Sequence, residues 1–367
     1  MKKNRRKGIK THFRLILIIS AFVALIGHKF IVGNYIYTQT GESIPQAIGK
    51  ISKYLARPTF LQNAQIIVIS EKLAKSKGFL HLIDYSLREP TFPTVIKMVI
   101  SKNTTPSEMM QIITPVQKMS SIRLVEMLKN TEPLWGNLQN SEPKTAKTTM
   151  LKNTKELTIP YIVVKGNIEK GASKENIERT HPEAILSLEG VGVFQNKRFS
   201  YFLSSEETQI LALLNGKSQN SNFVTHCPGP DGNLNWRNEG SRPRIRMKKI
   251  ARKPHLEVMV RINASLQDES CKGKLSKLST LRTFEHQMEK DMESRFSQFI
   301  KASQKHHADF IGFGEVLYKT EPDLWKSMAP SWTKIYSKIP VHTHVNVKLT
   351  EVGETRNEEK GRKSWNK

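Results

Sequence analysis

Apolar and polar positions along the chain fall into readable rhythms. Ile44, Ala47, Ile48, Ile51 and Leu55 recur at the spacing of one helical face, and Arg57-Pro58 then ends the helix. The run AQIIVI at 64–69 has strand length, and Ser70 after it can cap a helix reaching Leu87 before Glu89-Pro90 breaks the chain. VIKMVI at 95–100 reads as a second buried strand. Thr105-Pro106-Ser107-Glu108 then supplies an N-cap, a proline at the first helical position and a capping-box carboxylate for a helix from 106 to about 113. Ile122 to Leu128 form a further amphipathic piece. The polar, Lys- and Thr-rich stretch from Asn137 to Lys155 reads as a linker or long loop, with a domain boundary near 158.

Beyond 185 the alternation changes to that of a β-hairpin turning at Asn196-Lys197. Ser204-x-x-Glu207 is a capping box for a helix ending at Asn215-Gly216. The breakers of Cys227-Pro228-Gly229-Pro230-Asp231-Gly232 mark the next boundary. Arg244, Arg246 and Lys248 alternate with Ile245 and Met247, and Leu256, Val258, Val260 and Ile262 alternate with Glu257, Met259 and Arg261. Two strands follow, with the basic stripe as their solvated face. Leu281, Phe284, Met288, Met292, Phe296 and Ile300 keep helical spacing over a long core-facing helix that ends near His307. Phe310-Ile311-Gly312-Phe313-Gly314 leads to a helix carrying Leu324, Trp325 and Met328, and Val341 to Leu349 alternate as a last strand. The polar residues 353–367 read as a disordered tail.

The chain has 367 residues, enough for two or three domains, and its 38% hydrophobic and 25% charged residues exclude a polytopic membrane protein and a disordered chain. The net charge of +25 asks for nucleic acid, an anionic membrane surface or a targeting segment. Lys2, Lys3, Arg5, Arg6, Lys7, Lys10 and Arg14 account for part of it and precede LILIISAFVALIG at 15–27, an uncharged run of signal-peptide length, short of the ~20 residues that span a bilayer. Basic residues resist transfer, which leaves the body outside the cytoplasmic membrane. Leu25-Ile26-Gly27-His28 has the shape of a bacterial lipobox with histidine where the acylated cysteine stands. An imidazole carries no thioether-linked lipid, so residues 1–37 read as a signal or anchor segment, either kept as an uncleaved anchor, the reading favoured here, or cleaved elsewhere. Cys227 and Cys271, with no partner motif around them, read as two unrelated structural thiols that allow at most one optional bridge.

Enzymatic signatures fail. Gly216-Lys217-Ser218 ends like a phosphate-binding loop, but the earlier glycine would have to stand at Leu211, and Gly190-x-Gly192 lacks its third glycine. No nucleophile elbow or zinc-protease motif is present. His342 and His344 share a strand face that reads as solvated and not as a metal pair, since Lys348 lies on it. His306-His307 suit a helix C-terminus, Glu206-Glu207 a helix start, and Asp291 with Glu293 the polar side of a helix. Trp325 and Trp332 fall on one helical face if the helix survives Pro330 and read as core or interface anchors. The sequence thus argues for a protein without catalysis, cofactor or metal.

Three blocks resemble the Ger(x)C family, the C subunits of the nutrient germinant receptors of endospore-forming bacteria. They are YTQTGESIPQAIGKIS followed by AQIIVISEKLAK, then LEGVGVFQNKRFSYFLSSEETQILALLNGK, then ADFIGFGEVLYKTEPDLWKSMAPSW. The similarity runs from about Tyr37 to Val352. It implies an α+β protein of three small mixed α/β domains behind an N-terminal membrane anchor: 38–158, 159–217 and 218–352. It also implies a non-enzymatic, membrane-tethered subunit on the outer face of the spore inner membrane, needed for receptor assembly or signalling. The partners implied are the membrane and the A-type and B-type integral membrane subunits, with no nucleic acid. Asp309, Gly312, Phe313, Gly314, Trp325 and Trp332 of the last block are the structural or interface candidates. The chain departs from the family at His28, and the short distance from there to Tyr37 implies that the first strands are missing and the N-terminal sheet incomplete. The alternative from another class is a membrane-anchored extracytoplasmic solute-binding protein.

Overall fold

Side-chain capping sets several of the helix starts. Ser43 accepts from the Gln46 amide to begin α1 (Ile44–Ile51), and Ser70 accepts from Leu73 to begin α2 (Glu71–Ala74), which stops short and gives way to α3 (Gly78–Arg88). Thr105 and Glu108 form the expected capping box for α4 (Pro106–Gln111). These elements come from a computed structural model that describes residues 13–21, 33–55, 61–114, 120–135, 141–229, 232–250, 253–271 and 277–351. The chain divides into two compact units: the first comprises residues 1–128, 139–151 and 158–202, the second residues 129–138, 152–157 and 203–367. Helix α5 (Ser120–Trp135) runs across one of these divisions.

The first unit is built on a five-stranded sheet in the order β3-β4-β5-β6-β7. Its strands are β3 (Ile66–Ser70), β4 (Lys97–Ser101), β5 (Leu157–Gly166), β6 (Ala184–Gln195) and β7 (Arg198–Leu203), and β3, β4 and β5 run parallel. The β6–β7 turn has Asn196 at φ 50° and Lys197 at φ 65°, the two left-handed residues that a tight hairpin of this hand requires. Phe194 stacks on Phe79 of α3 with ring centroids 4.5 Å apart, at the centre of this core. A Cβ at Gly192 would lie 2.9 Å from both Ile100 Cδ1 and Phe199 Cε2, so the strand glycine makes room for those side chains. The segment expected as a linker contains α6 (Pro143–Lys152), buried through Ala146 and Met150 and tied by Lys97–Glu142 and Lys147–Asp84 ion pairs. Its Thr- and Lys-rich composition concealed a one-sided helix. Two single-turn helices, α7 (Ile168–Gly171) and α8 (Glu175–Glu178), connect β5 to β6.

Phe13–Ala21, within the stretch expected as the anchor, is strand β1, antiparallel to β2 (Gly33–Gly41). No helix among the described residues is long and apolar enough to cross a membrane. Residues 22–32, including His28, and the tail 353–367 lie outside the described residues.

In the second unit, Ser204 and Glu207 form the predicted capping box of α9 (Ser205–Leu214). Gly216, at φ +66°, closes its far end, with Gly216 N donating to Leu213 O and Lys217 N to Ala212 O. The sheet order is β11-β10-β9-β8, from β8 (Ser221–His226), β9 (Asn233–Ile250), β10 (Lys253–Glu269) and β11 (Val341–Glu351). β9 pairs antiparallel with β8 and β10, and β11 lies parallel to β10. The Cys227–Gly232 stretch, expected as a domain boundary, is therefore the β8–β9 connection inside one sheet. Cys227 and Cys271 are disulfide-bonded across a 44-residue separation, correcting the expectation of two unrelated thiols. The antiparallel register His226↔Asn233 and Leu234↔Glu269 brings the two strand ends together, which no spacing rule shows.

The long amphipathic helix is α10 (Leu278–Lys305), burying Phe284, Met288, Met292, Phe296, Phe299 and Ile300. A parallel row of carboxylates beside that stripe caps the free edge of β11. Glu285 accepts from the Leu349 amide at 2.9 Å, Glu289 from Val347 at 3.0 Å and Glu293 from Val345 at 2.9 Å. Asp291 and Glu293 lie half-buried beside the apolar stripe, and Asp291 accepts from Thr225 Oγ1 and Arg295 Nε. Arg295 also reaches Glu206. Truncating Glu293 to Ala leaves the Val345 N–H without an acceptor and is expected to lower stability by about 1 to 3 kcal/mol, whereas Glu293→Gln, which keeps an acceptor oxygen, should cost less. Equal thermal midpoints for the two variants would refute that account.

Candidate functional site

The last block of the resemblance folds around one carboxylate. Helix α11 (Phe313–Thr320) begins at a buried turn, where the first amides of a helix have no intrahelical acceptor. Asp309, itself buried, meets three amides at this start. Its Oδ1 accepts from Gly312 N at 2.8 Å and Phe313 N at 3.0 Å, and its Oδ2 from Gly314 N at 2.7 Å and the Trp332 indole Nε1 at 2.9 Å. Burial pushes the Asp309 carboxyl up, while the four N–H groups favour its ionised form. The partial positive charge at the helix start acts in the same direction as those donors.

The two glycines serve different purposes. Gly312 sits at φ +96°, a left-handed conformation that turns three successive amides toward one point. Gly314 has an ordinary backbone but no room: a Cβ there would stand 2.5 Å from Thr154 O and 2.8 Å from both Trp325 Cζ3 and Trp332 Nε1. The neighbouring segment 154–156 is fastened to the same turn, Glu156 N donating to Asp309 O at 2.9 Å and Lys155 pairing with Glu315 at 2.5 Å. Lys155 and Lys319 draw the Glu315 carboxyl below its ordinary range against the opposing effect of burial.

The tryptophans do not share a continuous helix. α12 (Pro322–Met328) ends before Pro330, a 3-10 turn at Ala329–Ser331 follows, and α13 (Trp332–Tyr336) begins after Ser331. The break sets Trp325 edge-on to Trp332 at 5.3 Å, with Tyr336 stacked on Trp332 at 5.9 Å and Phe313 against Tyr336 at 5.7 Å. Tyr336 is anchored by a hydroxyl–hydroxyl contact with Ser303 of α10. All six candidates, Asp309, Gly312, Phe313, Gly314, Trp325 and Trp332, are therefore gathered in one place and buried, with Phe313 at 0% and each tryptophan at 6% exposure. Sequence reasoning found them but missed that the aspartate is the acceptor for the whole turn.

The other singled-out residues scatter. His342 meets His255 of the neighbouring strand, Nδ1 of His255 lying 3.3 Å from Nε2 of His342, and His344 stands farther along on the same exposed face. Among the described residues no three His, Cys, Asp or Glu side chains are placed to hold a metal ion. His307 adopts φ 53° at the end of α10, and Gly190-x-Gly192 lies within β6.

Trp325→Ala is expected to destabilise the folded chain by about 3 to 5 kcal/mol. Gly314→Ala should be similarly damaging because backbone, and not a movable side chain, blocks the new methyl group. Thermal unfolding checks both, and an unchanged midpoint for either variant would refute the packing role assigned to that residue.

Comparison with known proteins follows the same blocks. The family model for the spore germination protein N-terminal domain matches residues 27–164, and that for spore germination B3/GerAC-like proteins, C-terminal, matches residues 189–353. The chain is 26% identical over 320 residues to spore germination protein KC of Bacillus subtilis (strain 168), covering 87% of this chain and 79% of that protein. It is 20% identical over 326 residues to spore germination protein GerQC of Bacillus cereus, covering 87% and 83%. Among solved structures, the GerBC protein superposes with a TM-score of 0.59 at 16% identity, over 92% of this chain and 97% of that one, a likeness of fold. With both halves matched in order and the Asp309 turn lying within the second, the chain belongs to the Ger(x)C family of spore germination proteins.

Proposed function

We propose that this chain is a non-enzymatic, membrane-tethered subunit of a spore nutrient germinant receptor, acting in assembly or signalling beside the A-type and B-type integral membrane subunits. The observation that carries the reading is the ordered match of two germination-protein domains over most of the chain. The Cys227–Cys271 bond supports a body outside the cytoplasm, because disulfides persist in oxidising compartments. The six candidate residues act by holding the C-terminal part of the fold together and contribute no chemistry to a substrate.

Affinity purification of the tagged chain from spore membranes should recover both integral membrane subunits. Recovery of the chain alone, together with saturable binding of an amino acid or sugar to it, would replace this reading with that of a solute-binding protein. The N-terminal segment with His28 serves as the tether in place of lipid. Growth with a labelled fatty acid should therefore leave this chain unlabelled, and His28→Cys should acquire label; incorporation into the parent chain would refute the tether.

A further inference from the structure

The four-stranded sheet has one covered face and one open one. Leu256, Val258, Val260 and Ile262 are buried on the α10 side, and the intervening residues point away. Arg242, Arg244, Arg246 and Lys248 stand exposed in succession along β9. The register sets Arg261 directly opposite Arg242, and Lys348 beside Asn263 on the neighbouring strand. The carboxylate among them is Glu257, which pairs with Lys248 at 2.7 Å and lies opposite Arg246. Among the described residues no carboxylate comes within ion-pair distance of Arg242, Arg244, Arg261 or Lys348. Alternate residues of a strand repeat every ~6.6 Å, so the β9 cations alone form a row about 20 Å long on a pleated surface.

Like charges directly opposite on a sheet are unfavourable, so this arrangement opposes folding. Protecting a strand edge from aggregation asks for one or two charges, and not for four successive cations along an inner strand.

We propose that this sheet face docks on an anionic phospholipid surface. The face carries no Phe, Tyr or Trp among its described outward residues, so it lacks the stacking platform of a single-strand nucleic-acid binder. Among the described residues the guanidinium groups of Arg242, Arg244 and Arg261 have no carboxylate partner, which suits phosphate headgroups that move laterally to meet them. Each basic side chain near such a surface strengthens binding about fivefold. The inference rests on the proposed tether only for the nearness of the lipid.

The full chain carries its own N-terminal segment, so the readout must come from the face. Because both native cysteines are bonded to each other, Met259→Cys offers one thiol at the middle of this face for an environment-sensitive fluorophore. On vesicles of phosphatidylglycerol and phosphatidylcholine the emission should shift to the blue, with no shift on phosphatidylcholine alone, and about 0.5 M salt should abolish it. The triple change Arg242→Gln, Arg244→Gln, Arg246→Gln should raise the lipid concentration needed by about a hundredfold, whereas lysine at the same three positions should preserve the response. Identical emission on the two vesicle types, or a glutamine triple variant that behaves as the parent, would overturn the proposal. A shift with heparin or an acidic polypeptide but none with phosphatidylglycerol would also overturn it and assign the face to a polyanion. None of these outcomes bears on co-purification with the receptor subunits.

Discussion

The turn and helices from Asp309 to Tyr336 hang on four N–H groups that converge on one acceptor. Two belong to the first residues of α11, one to Gly312 just before it and one to Trp332, and all converge on Asp309 in a buried turn. An unmet buried donor costs about 1 to 3 kcal/mol, so a side chain of the wrong shape here would forfeit a large part of a domain's stability. Asparagine offers one acceptor oxygen and adds two donors, and glutamate is one carbon too long for the spacing. The ring cluster of Phe313, Trp325, Trp332 and Tyr336 packs around this anchor, and Tyr336 carries the connection on to α10 through Ser303.

Local chemistry was legible where it is self-contained. Both capping boxes, the Asn196-Lys197 turn, the β9 and β10 alternation and the reach of α10 all follow from residues within a few positions of one another. The third residue block marked the buried turn because it combines glycines, an acid and tryptophans within a short span.

What stayed hidden is non-local. β5 carries Pro160, which cannot donate to a ladder, so its apolar run does not read as an interior strand; Tyr161 and Ile162 pair with Ile100 and Ser101 of β4. α6 lacks a strong apolar stripe and is held by pairs to distant residues such as Asp84. The disulfide depends on two strand ends meeting, and the division into two units depends on β5, β6 and β7 completing a sheet begun by β3 and β4, with α9 falling to the other unit.

The carboxylates of α10 along β11 form a vernier. Four residues of helix rise about 6.0 Å and two residues of strand about 6.6 Å, so successive rungs drift by ~0.6 Å and three remain within the reach of a flexible glutamate. The sequence stops the ladder there, with Leu281 and Ser297 at the next positions on either side. The amides it occupies are those an incoming strand would need at this edge. Another polypeptide therefore cannot extend the sheet past β11 by backbone pairing, and recognition of the second unit from that side must proceed through side chains.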